Sequence, residues 1–291
     1  MKLGGVRESG NVEDRRGMGF GRGGMAVGGG CGTLIVIILA IIFGVDPGQL
    51  LSGGGGPAEG PPPAQRPGGA PGQPQQPDDE DSRFVRKVLT TTEDVWNDIF
   101  RRNGSDYREP TLVLFTQQVQ SACGVAGASV GPFYCPADEK VYIDLSFYDE
   151  LQSRFRAPGD FAQGYVIAHE VGHHVQNLLG TSDKVTQLQQ RSRSEAQAND
   201  LSVRLELQAD CYAGVWGFYA KQRDILDPGD LEEALAAASA IGDDRLQREA
   251  QGYAVPDSFT HGSSEQRQRW FRQGFDSGDI RRCDTFSTRG L

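Results

Sequence analysis

From Tyr165 to Gln176 the chain reads Tyr-Val-Ile-Ala-His-Glu-Val-Gly-His-His-Val-Gln, a mostly apolar run with one Glu set among three histidines. It holds no Pro and a single Gly, so it is predicted to be a buried helix. One helical turn separates His169 from His173, which puts both rings on one face. Two imidazoles so placed fit two corners of a zinc tetrahedron. Glu170 lies about 100° further round the helix. That position is near the open side of such an ion but off the ligand face, where a general base for an attacking water belongs. The bland alternative is a polar helix whose histidines only hydrogen-bond. With 4 His in 291 residues, chance assembly of His-Glu-x-x-His is rare, and the metal reading is preferred. His174 lies off the ligand face and reads as packing or as support for a ligand.

A catalytic zinc usually keeps three protein ligands. The third is expected from a second helical pattern around Asn199 to Tyr219, where Leu201, Leu205, Ala209, Tyr212 and Trp216 recur at helical spacing. Within it Glu206 and Asp210 are four apart and share a face. Glu206 would complete a His-His-Glu set, and Asp210 would accept the spare ring N–H of a ligand histidine. The alternative is a solvated acidic pair. The neighbours Leu205, Ala209, Cys211 and Ala213 argue instead for burial, and buried carboxylates need a cation or a donor. His261 precedes Ser263 and Gln266, which read as a capping box opening a helix over about 263–276. It is either an oxyanion donor or an exposed histidine at a helix start.

Four regions are expected along the chain. Residues 1–24, rich in Gly and Arg, read as a disordered cytoplasmic segment. Residues 25–45 read as one transmembrane anchor. The stretch from Gly23 to Val45 carries no charge, and Leu34 to Phe43 is wholly apolar. Residues 1–30 carry a net charge of +2, which places the N-terminus in the cytoplasm and the remainder outside. A cleaved signal peptide is the rival, but no Ala-x-Ala site follows the run. Residues 46–81 read as a linker, because Gly and Pro fill 16 of the 25 positions from 53 to 77.

The remaining 82–291 form the folded domain. A helix is expected over 82–102, interrupted near Thr90-Thr91-Thr92, followed by a buried strand at Thr111–Phe115. A hairpin from Gly131 to Leu145 comes next, and its edge offers a place for an extended peptide. The metal helix is expected from about 158–160 to Leu179, ending at Gly180, with residues 181–195 a loop or weak helix. The fold class is therefore α+β, mostly helical with a small antiparallel sheet.

The net charge of -10, with no basic cluster, argues against a nucleic-acid partner. Of the 5 Cys, four lie in the folded region and none forms a C-x-x-C pair. Cys123–Cys135 and Cys211–Cys283 are the favoured disulfides of the three possible pairings.

His169-Glu170-x-x-His173 followed by Glu206-x-x-x-Asp210 resembles the gluzincin arrangement of zinc peptidases. The whole chain resembles the bacterial YpfJ-like neutral zinc metallopeptidase family, from the Arg/Gly-rich start through the metal helix to Thr260-His261-Gly262-Ser263-Ser264-Glu265-Gln266-Arg267. The resemblance implies a zincin-like domain with His169, His173 and Glu206 on zinc. It also implies Glu170 as base, Asp210 orienting a histidine and His261 steadying the oxyanion. The expected function is a membrane-anchored zinc endopeptidase acting on peptide or protein substrates. The alternatives are a zinc-stabilised envelope scaffold without catalysis, or a zinc amidase on cell-wall amides.

Overall fold

The computed structural model describes residues 1–17, 79–288 and 291. The expected anchor at 25–45, and the expected linker as far as residue 78, lie outside the described residues. Among the described residues no helix is long and apolar enough to cross a membrane.

A mixed four-stranded sheet packs against a helical body. Strands β1 (Val12–Asp14), β2 (Thr111–Phe115), β5 (Phe133–Cys135) and β6 (Lys140–Asp144) lie in the order β1-β2-β6-β5. A separate hairpin, β3 (Gln118–Ser121) with β4 (Gly124–Gly127), sits between β2 and β5 in sequence. The helices are α1 (Glu80–Arg102), α2 (Ser146–Ser153), α3 (Asp160–Leu178), α4 (Thr181–Gln190), α5 (Glu195–Gln222), α6 (Asp230–Ala240), α7 (Asp243–Gln251) and α8 (Ser264–Ser277).

After Thr111, strand β2 is wholly apolar because both of its faces are covered. Leu112 and Leu114, with Val141 and Ile143 of β6, face the main helical core. Val113 and Phe115, with Tyr142, face a second cluster formed with Val119, Ala126, Val130 and Phe133. This is the period-two alternation of a strand with two buried sides. The β5–β6 hairpin is antiparallel as expected, but β2 pairs with β6 in parallel, and so does β1 with β2. The expectation of a purely antiparallel sheet is corrected on that point. The β2–β6 crossover is made by the β3–β4 hairpin and β5 instead of by a helix.

Three further expectations change. Residues 1–24 were expected to be disordered, yet 1–17 form an arm that supplies β1 and places Leu3 and Val12 in the core. The first helix begins at Glu80, capped by Asp79, so Glu80 and Asp81 are not linker. It runs unbroken through Thr90-Thr91-Thr92. The Thr91 and Thr92 hydroxyls donate to the carbonyls of Val88 and Leu89, and Thr91 accepts from the Trp216 indole. The hydroxyls are thus satisfied inside the helix, and β-branching alone is too weak to break it. The metal helix ends at Leu178, beside the expected stop at Gly180, and of the two readings of residues 181–195 the helix is found, over Thr181–Gln190 with Gly180 as its N-cap.

Helix α5 is the axis of the body, with α3 on one side and α8 on the other. The α5–α8 crossing is extremely close. A Cβ on Gly274 would lie 1.9 Å from the Cys211 carbonyl oxygen, so only glycine fits there. Two disulfides complete the fold: Cys123–Cys135 joins the β3–β4 turn to β5, and Cys211–Cys283 joins α5 to the tail.

Candidate metal centre

Helices α3 and α5 approach across Gly172, the one glycine inside the His-Glu-x-x-His run. A Cβ at Gly172 would meet the Ala209 carbonyl oxygen at 3.0 Å and Ala209 Cα at 3.2 Å. The close approach brings Glu206 and Asp210 opposite His169 and His173. Ligand atoms of His169, His173 and Glu206 all lie within 4.8 Å of one another. Nε2 of His169 is 3.1 Å from Glu206 Oε2, and Nε2 of His173 is 3.5 Å from Glu206 Oε1. Tetrahedral zinc with bonds of about 2.1 Å spaces its ligand atoms by roughly 3.4 Å. The two distances bracket that value, so the donor set fits a zinc ion in number, type and spacing.

Both histidines of this candidate set are held from behind. Asp210 is fully buried, and its Oδ1 is 2.8 Å from His169 Nδ1. The same carboxylate accepts from Arg267 Nε at 2.8 Å, Arg267 Nη2 at 3.0 Å and the Tyr165 hydroxyl at 2.5 Å. Burial by itself would raise the Asp210 carboxyl, but the Arg267 guanidinium and the His169 ring outweigh it and hold it at about 2. An ionised Asp210 accepts a hydrogen bond from the Nδ1–H of His169 and turns Nε2 toward Glu206, which fixes the tautomer that a metal needs. Burial would lower the His169 ring, yet Asp210 and Glu206 push it up to about 10. For Glu206, burial acts upward, and the rings of His173, His261 and His169 pull the carboxyl well below its ordinary value.

His173 is oriented by an amide instead. Its Nδ1 donates to Gln176 Oε1 at 2.9 Å, and Gln176 Nε2 donates to the Leu205 carbonyl at 2.6 Å and to Gln208 Oε1 at 3.2 Å. Gln208 in turn donates to the Cys283 carbonyl at 3.0 Å. Glu170 is buried beside the two rings. Its burial pushes the carboxyl above its ordinary value, against the downward pull of His173 and His169. His174 faces away from the cluster. Its Nε2 donates to the Arg108 carbonyl at 2.6 Å and its Nδ1 accepts from Tyr134 at 3.0 Å, so burial keeps it neutral.

His261 precedes α8, whose Ser263–Gln266 capping box is formed. Its Nδ1 faces Asp243 Oδ1 at 3.3 Å. Oδ2 of Asp243 accepts the backbone N–H groups of Thr260, His261 and Gly262 at 2.7, 2.6 and 3.1 Å. Burial would lower the His261 ring, but Glu206 and Asp243 together raise it. A protonated His261 carries a second N–H, on Nε2, besides the Nδ1 that faces Asp243.

Sequence reasoning missed Arg267, Tyr165, Gln176 and Asp243. Tyr165 and Gln176 lie on the metal helix itself, four residues before His169 and three after His173, so helical spacing was the available signal. Asp243 and Arg267 reach the site through the fold, and nothing local marks them.

A family model described as "Putative neutral zinc metallopeptidase" matches residues 1–286. The chain belongs to that family. It is 51% identical over 293 residues to the protein YpfJ of Escherichia coli (strain K12), covering 98% of this chain and 99% of that one. It is 43% identical over 221 residues to Mb2605 of Mycobacterium bovis (strain ATCC BAA-935 / AF2122/97), covering 72% of this chain and 73% of the relative. Both relatives are described as uncharacterized. No solved structure gives a significant match. The family name implies zinc and a peptidase reaction, and the donor set described above fits that metal.

Proposed function

We propose that this chain is a zinc-dependent peptidase in which His169, His173 and Glu206 hold the ion, Glu170 is the general base and His261 steadies the oxyanion. The carrying observation is the convergence of three ligand atoms from α3 and α5 within 4.8 Å, beside a buried Glu170. Bound zinc supplies a Lewis acid that polarises the scissile carbonyl and acidifies water. Glu170, raised by burial, takes the proton of the attacking water and passes it to the leaving amine. His261, kept protonated by Asp243, donates to the oxygen on which negative charge develops. Asp210 and Gln176 keep the two ligand rings in register while charge shifts.

Strand β5 is an outer strand of the sheet and packs on α3 through Tyr134, whose hydroxyl contacts His174 and Asn177. An extended peptide pairing with that edge would lie alongside the metal helix, which supports an endopeptidase acting on extended segments.

The decisive experiment is Glu170→Gln in the full chain. Zinc content stays at the wild-type level, while cleavage of a mixed peptide library falls by about 10²- to 10⁴-fold. Unchanged cleavage refutes Glu170 as the base. Zinc that is lost in His173→Ala but bound with cleavage absent in the wild type points instead to a metal-stabilised binding protein.

A further inference from the structure

The arm and the helical body are one folded unit although 61 residues, 18–78, separate them in sequence. β1 pairs in parallel with β2, with Val12 opposite Leu112 and Asp14 opposite Leu114. Backbone bonds extend the pairing on both sides, from Leu112 N to Asn11 O at 2.8 Å and from Arg15 N to Leu114 O at 2.8 Å. Beyond the strand, the Lys2 amide donates to Ile225 O at 2.6 Å and the Ser9 amide to Arg86 O at 3.1 Å. Glu13 meets Lys140 at 2.6 Å.

Glu93 of α1 shows that the arm is required. Its residue is 1% exposed, and its carboxylate is met by Ser9 Oγ at 2.5 Å, Asn11 Nδ2 at 2.9 Å and Arg7 Nη1 at 3.5 Å. All three come from the arm. With the arm gone, a buried carboxylate loses its partners, which proteins rarely tolerate.

The two ends of the intervening segment also meet. Arg16 Nη1 is 2.7 Å from Asp79 Oδ2, two residues before the segment begins and one after it ends. A segment that crossed a bilayer once would have its ends separated by about 30 Å of hydrocarbon. A return crossing needs a second apolar stretch, and residues 18–78 hold a single one, Leu34 to Phe43. The arrangement expected from charge, with the N-terminus on one side and the domain on the other, would pull β1 out of the sheet.

We propose that residues 1–17 are a strand of the catalytic domain that stays on the domain's side of the membrane, so that residues 18–78 make no net crossing. Any membrane attachment by Leu34 to Phe43 then holds the domain from one face and does not thread through.

The test uses the full chain in its native membrane, with Cys31→Ser leaving no other unpaired thiol. Arg7→Cys and Asp94→Cys are introduced together at a partly exposed ion pair 3.1 Å long, and a protease site is placed between residues 53 and 60. A short membrane-permeant bismaleimide is expected to link the two thiols, so that cleavage no longer releases the N-terminal fragment. A membrane-impermeant maleimide is expected to label both single variants or neither. The Glu13→Cys, Lys140→Cys pair gives an independent second link with the same expected loss of fragment release. Labelling of one single variant and protection of the other overturns the proposal. Full release of the fragment from both pairs, with all four thiols reactive, also overturns it.

Discussion

Arg267 is 2% exposed and carries a charge that only Asp210 balances in full. Removing Asp210 leaves the Arg267 charge buried without its carboxylate, and removing Arg267 leaves Asp210 with the His169 ring and the Tyr165 hydroxyl. Arg267→Met is expected to destabilise by about 3–5 kcal/mol and to weaken zinc retention, because the carboxylate that orients His169 then loses the guanidinium that fixes it. Adding Asp210→Asn should recover part of that stability, whereas zinc affinity stays low. Urea midpoints and metal content of the two variants check this, and strict additivity would show that the pair does not act as a unit. The Asp243–His261 pair makes a pH prediction. Burial opposes both charges, yet each partner stabilises the other: His261 is raised and Asp243 is lowered. The His261 contribution is full below its unfolded value near about 6.5 and is lost as pH rises through the higher folded value. The Asp243 contribution is full above its unfolded value and is lost as pH falls through the lower folded one. A catalytic need for protonated His261 puts the alkaline limb of kcat/KM above its ordinary position. Asp243→Asn should move that limb to lower pH, and an unmoved limb would remove His261 from the reaction.

At the scale of elements, two glycine contacts set the site's dimensions. Gly172 lets α3 and α5 approach, and Gly274 lets α5 and α8 touch backbone to backbone. Gly274→Ala has no space and is expected to cost roughly 3 kcal/mol or more by overpacking, read as a lower urea midpoint. The elements that build this layer were legible in sequence because each carries its own period. Leu201, Leu205, Ala209, Tyr212 and Trp216 marked α5, and the His-Glu-x-x-His run marked α3. Helix α6 escaped because its buried face is mostly alanine, Ala234, Ala237, Ala238 and Ala240 beside a single Leu235, too small to make an apolar stripe. Helix α7 escaped because its one buried apolar side chain is Leu246, in an otherwise charged segment. The parallel register of β2 on β6 is a long-range choice that no local pattern encodes. The same holds for β1, where Val12 is the single apolar residue of an otherwise polar strand.

At the scale of the whole molecule, the arm is the largest departure from what composition suggested. Its apolar contribution is small, and its hold comes from long-range ion pairs and backbone bonds whose partners lie 63 or more residues away. Replacing Ser9 and Asn11 by alanine is expected to destabilise the full chain by about 1–3 kcal/mol per lost partner. Glu93→Leu in that background should restore part of the loss, as thermal unfolding would show.

The tail gives the molecule one more property. Cys283 is bonded through sulfur to α5, and its carbonyl steadies Gln208, which meets Gln176, which orients His173. Electrons delivered to that sulfur pair would therefore loosen a metal ligand three contacts away. A mild thiol should release zinc before the domain melts, tying the enzyme's readiness to the oxidation of its surroundings.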